Sequence, residues 1–121
     1  MNDNVYWMLK LEVLPGRNDD FNALMEEMVR TTRDREPGTL NYEWNTSADG
    51  TICHIYERYA DSIAVIKHLE SFNSKYAERF LAILKPTRFY VYGSPSQAVQ
   101  SALAGFAPVY MRSANGFARQ A

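Results

Sequence analysis

Between Val5 and Val13 the apolar positions fall at every second residue. Val5, Trp7, Leu9, Leu11 and Val13 share one side; Tyr6, Met8, Lys10 and Glu12 share the other. Period two predicts a strand with one strongly apolar face, and Pro15-Gly16 ends it in a turn. From Phe21 the spacing changes. Phe21, Leu24, Met25, Met28 and Val29 form the stripe of a half-buried helix. Asn18, Asp19 and Asp20 precede it as expected side-chain caps that also bring negative charge to the positive end of the helix dipole. Arg30, Arg33 and Arg35 crowd the other end, and Pro37-Gly38 stops the helix.

Alternation returns over Thr39–Asn45, which predicts a strand with Leu40, Tyr42 and Trp44 on one face. Ala48-Asp49-Gly50 turns the chain, and Thr51–Tyr59 is the returning strand, with Cys53, Ile55, Glu57 and Tyr59 on a common face. Asp61 and Ser62 are expected to cap a second helical region. Its stripe is Val65, Leu69, Phe72, Tyr76, Phe80 and Leu84, with a break at Ser71–Ser74 and an end at Pro86. Thr87–Gly93 has the aromatic and β-favouring composition of a last strand. The order β-α-β-β-α-β is the split βαβ, ferredoxin-like arrangement, an α+β fold. It occupies residues 1–93. Residues 94–121 form a C-terminal extension with a short helix around Ser96–Leu103, expected to dock on the domain or on a partner subunit.

Two helices on one side of four strands leave the other sheet face open. That face carries Tyr6, Met8, His54, Tyr56, Tyr90 and Tyr92, mixed with Lys10, Glu12, Arg58 and Arg88. It is more aromatic than a water-facing surface requires, which predicts a homodimer closed sheet to sheet.

Composition narrows the classes. The 121 residues suit one domain, and 46% hydrophobic residues with 22% charged residues suit a globular one. A net charge of −1 gives no footprint for nucleic acid or an anionic membrane. No apolar run approaches the roughly 20 residues of a membrane helix, and the first residues lack a secretory signal, so a cytoplasmic location is expected. One cysteine and two histidines make a zinc site an unfavourable reading, and no metal is expected. No nucleotide-cradling glycine motif or nucleophile elbow is present.

The pair that invites chemistry is Glu57 and His68. Each is an ionisable residue within an apolar face, costly unless the two meet or line a cavity. A carboxylate beside an imidazole fixes its tautomer and raises its basicity, which suits proton transfer near neutral pH; it equally suits a structural bond between strand and helix. Trp7, Tyr42, Trp44, Phe72, Tyr76 and Phe89 are positioned either to line a flat pocket between sheet and helices or simply to pack the core.

The runs EPGTLNYEW (36–44) and YERYADSIAVIKHLES (56–71) carry a resemblance. An EPG turn into the second strand, an acid before an aromatic on the third and a helical histidine resemble the antibiotic biosynthesis monooxygenase family over about residues 5–92. The resemblance implies a dimeric α+β barrel with a cleft between sheet and helices, often for oxygenating quinols or related phenolic aromatics with O₂. Several members need no metal, flavin or other prosthetic group, so no cofactor is expected. It also implies catalytic roles for His68 and Glu57; with a cleft there, Trp7, Tyr42, Trp44, Phe72 and Tyr76 are the residues expected from their positions to bind the substrate. Tyr59 stands where the family more often has tryptophan, and the first strand lacks the asparagine of haem-degrading relatives. The alternative is a non-catalytic dimeric barrel that binds or senses a small aromatic metabolite. Other chemistry on this scaffold, or a purely structural dimerisation role, also stays open.

Overall fold

In the computed structural model, which describes residues 2–119, β1 (Val5–Val13) lies at the centre of the sheet and buries every odd residue. Residue 1 of the expected domain and the last two residues of the 94–121 extension lie outside the described residues. β1 pairs antiparallel with β3 (Ile52–Tyr59) and with β4 (Leu84–Gly93), and β3 pairs antiparallel with β2 (Thr39–Thr46). The order β2-β3-β1-β4 is that of the ferredoxin-like fold expected from the sequence. A fifth strand, β5 (Val109–Tyr110), adds parallel to β4 and has no counterpart in the sequence reading.

Helices α1 (Asn18–Arg35), α2 (Ser62–Lys75) and α3 (Ala77–Ile83) belong to this domain. Val5, Leu11 and Ile55 from the sheet, Leu24 from α1 and Val65 from α2 are fully buried between sheet and helices. The short α4 (Gln97–Leu103) is capped by Ser96, whose hydroxyl accepts from the Val99 N–H, and it buries Val99 and Leu103.

Local chemistry corrects several expectations. Asn18–Asp20 form the first turn of α1 and do not cap it; the preceding residue is Arg17, which pairs with Asp20 at 2.8 Å. Asn18 reaches away to donate to the Gly50 carbonyl. Leu40 is exposed, because the β2–β3 register slips between Thr39 and Asn41 and a bulge residue leaves the alternation. The break between α2 and α3 falls at Tyr76, not at Ser71–Ser74: its ψ of −21° with φ of −126° interrupts the helix while the buried ring anchors the corner. Leu84 and Pro86 belong to β4. Pro86 is tolerated there because a register shift lies opposite it and β5 begins pairing only at Tyr90.

The face of β1, β3 and β4 away from the helices remains partly open. Tyr6 and Tyr92 stack there at 5.2 Å, and Lys10 lies 5.6 Å from the Tyr90 ring.

Candidate active site

His68 occupies the inner face of α2, one turn after Ala64. Asp61 starts that helix by accepting the Ala64 N–H at 2.9 Å. The Glu36-Pro37-Gly38 turn lies directly on this first turn: a Cβ on Gly38 would sit 2.8 Å from that of Ala64. Glycine thus permits a close approach that brings the end of α1 against α2. The turn is fixed by Glu36 N–H donating to Thr32 O, Thr39 N–H donating to Glu36 O, and Ala60 N–H donating to Gly38 O. Its consequence is chemical. Glu36, which sequence reasoning assigned no role, reaches His68 Nδ1 at 2.8 Å.

Glu57 approaches the other ring nitrogen, with Oε1 3.4 Å from Nε2. The same oxygen accepts a short hydrogen bond from the Tyr59 hydroxyl. Thr39 Oγ1 donates to Glu36 at 2.9 Å. One imidazole is therefore held between two carboxyl groups, all three within a few per cent of complete burial. Burial alone would raise the Glu36 pKa, but the hydrogen bond and charge of His68 reverse this and hold it below the usual range. For His68 burial pulls down, and the Glu36 hydrogen bond with both carboxylate charges pulls it up further. Glu57 is different. Desolvation raises it despite the imidazole charge and the Tyr59 hydroxyl. Burial and the Glu57 charge keep Tyr42 and Tyr59 protonated far into alkali.

The arrangement is thus a Glu36–His68 pair in which each partner favours the other's charged form, beside a second carboxyl, Glu57, that binds a proton more tightly than an exposed one. Two carboxyls of opposite tendency, Glu36 lowered and Glu57 raised, flank one imidazole, a pattern common at acid–base sites.

Glu57 and His68 line an apolar cavity of about 40 Å³ together with Trp7, Tyr42, Phe72 and Phe106. Tyr42 stands edge-on to the imidazole at 5.4 Å. Trp44 and Tyr76 lie outside that lining. Trp44 packs on Phe21 and Phe80, its buried indole N–H without a hydrogen-bond partner, and the Tyr76 hydroxyl donates to Thr31. Arg79 pairs with Glu27 at 3.1 Å across the helices. Cys53 is buried, and desolvation pushes its thiol up to about 12, so it stays a thiol. Among the described residues no group of three or more His, Cys, Asp or Glu is placed to hold a metal ion, and no helix is long and apolar enough to cross a membrane.

Glu36 carried a signal in the sequence. It is an acid at the carbonyl end of a helix, where the dipole opposes negative charge. Such a residue asks for a cation, and His68 supplies it.

The fold has relatives among proteins of known structure. The structure of MupZ from Pseudomonas fluorescens superposes with a TM-score of 0.83 at 23% identity, covering 98% of this chain and 96% of that one. Rv0793 from Mycobacterium tuberculosis gives 0.65 at 27% identity, covering 78% and 98%. A candidate antibiotic biosynthesis monooxygenase from Nitrosomonas europaea gives 0.66 at 18%, covering 78% and 92%. No curated protein matches in sequence. The profile of the antibiotic biosynthesis monooxygenase family matches residues 4–85, more than half of the chain and every element from β1 into β4. By that match the protein belongs to the antibiotic biosynthesis monooxygenase family.

Proposed function

We propose that this protein is a monooxygenase that uses O₂ to oxidise a quinol or related phenolic aromatic. The observation that carries the reading is the Glu36–His68–Glu57 chain ending at an aromatic-lined cavity. Trp7, Tyr42 and Phe72 offer flat surfaces to a ring. With Glu36 ionised and His68 protonated, Glu57 is the acceptor that faces the cavity. A phenolic proton passes to it, and the negative charge moves from Glu57 to the substrate oxygen. The imidazolium beside it stabilises the phenolate without leaving its place.

The phenolate is electron-rich enough to reduce O₂ by one electron, and the phenoxyl radical and superoxide combine at a ring carbon. Loss of that carbon's proton with cleavage of the O–O bond leaves a carbonyl on the ring and releases water. The substrate supplies all four electrons, so atoms and charge balance with no outside reductant.

The test is oxygen uptake across a panel of benzo- and naphthohydroquinones and phenols, with ¹⁸O₂. One labelled atom in the product and one in water, at one O₂ per product, is the expected result. Saturable binding of the same compounds without oxygen consumption would instead favour the binding-protein reading.

The stacked tyrosines on the open face support a sheet-to-sheet homodimer. Wild-type protein is expected to sediment as a dimer. Tyr6→Glu places like charges across the two-fold and is expected to shift it to monomer at micromolar concentration. A wild-type monomer in analytical ultracentrifugation contradicts this arrangement.

A further inference from the structure

The cavity beside His68 measures only about 40 Å³. A cavity of about 150 Å³ accommodates benzene, so no aromatic ring fits until a wall moves. A second, larger space of about 320 Å³ lies alongside, between β4 and the chain leading into β5. The two spaces share two walls, Phe89 and Phe106.

These walls are unequal. Phe89 is buried in β4 and held edge-on to Trp7 at 5.4 Å. Phe106 is half-buried and ends a single 3₁₀ turn, with its ring 6.1 Å from Phe89 and 6.2 Å from Phe72. Gly105 before it faces open space. Ala107 after it has φ 52° and ψ 55°, the only left-handed non-glycine among the described residues. That conformation is strained for an alanine, so the backbone beside Phe106 is held less favourably than the strand that carries Phe89. Of the two shared walls, Phe106 is the less firmly held.

The outer space has its own chemistry. Arg88 and Thr87 line it. The Arg88 guanidinium bonds the Thr87 carbonyl, and no carboxylate lies within 4 Å of it among the described residues. Because β5 pairs only with Tyr90 and Val91, the outer edge of β4 before Tyr90 is unpaired by β5. A planar fork of donors suits a carboxylate.

We infer that Phe106 divides one continuous binding site, whose inner chamber takes the reacting ring and whose outer chamber takes a carboxylate-bearing arm of the same ligand against Arg88. The aromatic nature of the head rests on the function proposed above; the two-chamber path does not.

The experiment uses quinones, which have no electrons to give O₂, so binding is read apart from turnover. The probe is 3-methyl-1,4-naphthoquinone with a carboxybutyl arm at C2, compared with its methyl ester, through quenching of tryptophan fluorescence in stopped flow. The wild-type protein is expected to bind the acid about tenfold more tightly than the ester, the worth of one charge-assisted contact. Arg88→Gln, an exposed position, is expected to erase the difference while leaving the ester unchanged. Phe106→Ala is expected to speed association of both about tenfold, and Phe106→Trp to slow it.

Equal affinities for acid and ester in the wild type overturn the arm's chemistry, as does a preference that survives in Arg88→Gln. An association rate indifferent to residue 106 overturns the partition, and no quenching by either quinone overturns the site as a whole. Each of these outcomes is independent of oxygen uptake, on which the proposed activity stands or falls.

Discussion

Glu57→Gln is expected to lower kcat about a thousandfold while making the protein more stable. The two effects share one cause. Glu57 is buried, and desolvation raises its pKa above that of an exposed carboxyl. A group whose folded pKa is raised favours the folded state at low pH and works against it as pH rises through the folded value. Glutamine keeps the shape and an acceptor for the Tyr59 hydroxyl but has no charge to desolvate. The variant should gain about 1 kcal/mol at pH 8, and the gain should vanish at pH 4, where Glu57 in the wild type is protonated too.

In the proposed reaction the loss of activity follows because the amide could not accept the substrate's proton, and a positioned base is worth about 10²–10⁴ in rate. Oxygen uptake on a substrate from the panel, with thermal melts at both pH values, checks both halves. A kcat within threefold of wild type removes Glu57 from the proton path. A variant that melts lower at pH 8 shows that the carboxylate contributes more through its contacts than burial takes away.

Much of this molecule was legible along the chain. The alternation over Val5–Val13 and Thr51–Tyr59 specified two central strands and their inner faces, because a one-residue slip would expose every large apolar side chain. The same alternation put Glu57 toward the helices, and the period of α2 put His68 toward the sheet.

What periodicity misses is what lies between elements. Glu36 sits at the end of α1, outside both the helical stripe and the strand alternation, and it reaches His68 only through the close contact of Gly38 with Ala64. Leu40 was misplaced for a related reason: a bulge shifts the phase within β2, and nothing in Thr39–Asn45 marks it. Trp44 and Tyr76 share faces with cavity residues, but their neighbours Phe21, Phe80 and Thr31 come from other elements and draw them away. Element period assigns a side of the sheet or helix. It does not assign a place along it.

The extension illustrates the same limit. The apolar character of residues 99–111 asks for burial, and α4 does bury Val99 and Leu103. That Phe106 would stand against Phe72, between an imidazole-bearing cavity and a cleft beside Arg88, depends on the turn at Gly105–Ala107. No repeating pattern encodes such a turn.

Glu36→Gln is expected to act in the opposite sense to Glu57→Gln, although both remove a carboxylate from the same imidazole. Glu36 has a lowered pKa, so the stability it brings is present above the ordinary carboxylate range and lost as pH falls through its folded value. His68 has a raised pKa, so its share is complete below the ordinary imidazole value and lost as pH rises through its folded one. The pair is therefore worth most between those limits, near pH 6.

Breaking a buried pair leaves a charge without its partner and costs about 3 kcal/mol or more; Glu57, on the other ring nitrogen, keeps the loss at the lower end. Urea unfolding at pH 4, 6 and 9 should show the largest deficit at pH 6, and the His68 midpoint followed by NMR should fall. A deficit that is flat across the three pH values would mean that Glu36 braces the turn through Thr39 and the backbone alone. Opposite shifts in stability from two isosteric changes about one ring would instead assign the carboxylates separate tasks, Glu36 to hold the imidazolium and Glu57 to exchange protons with whatever enters the cavity.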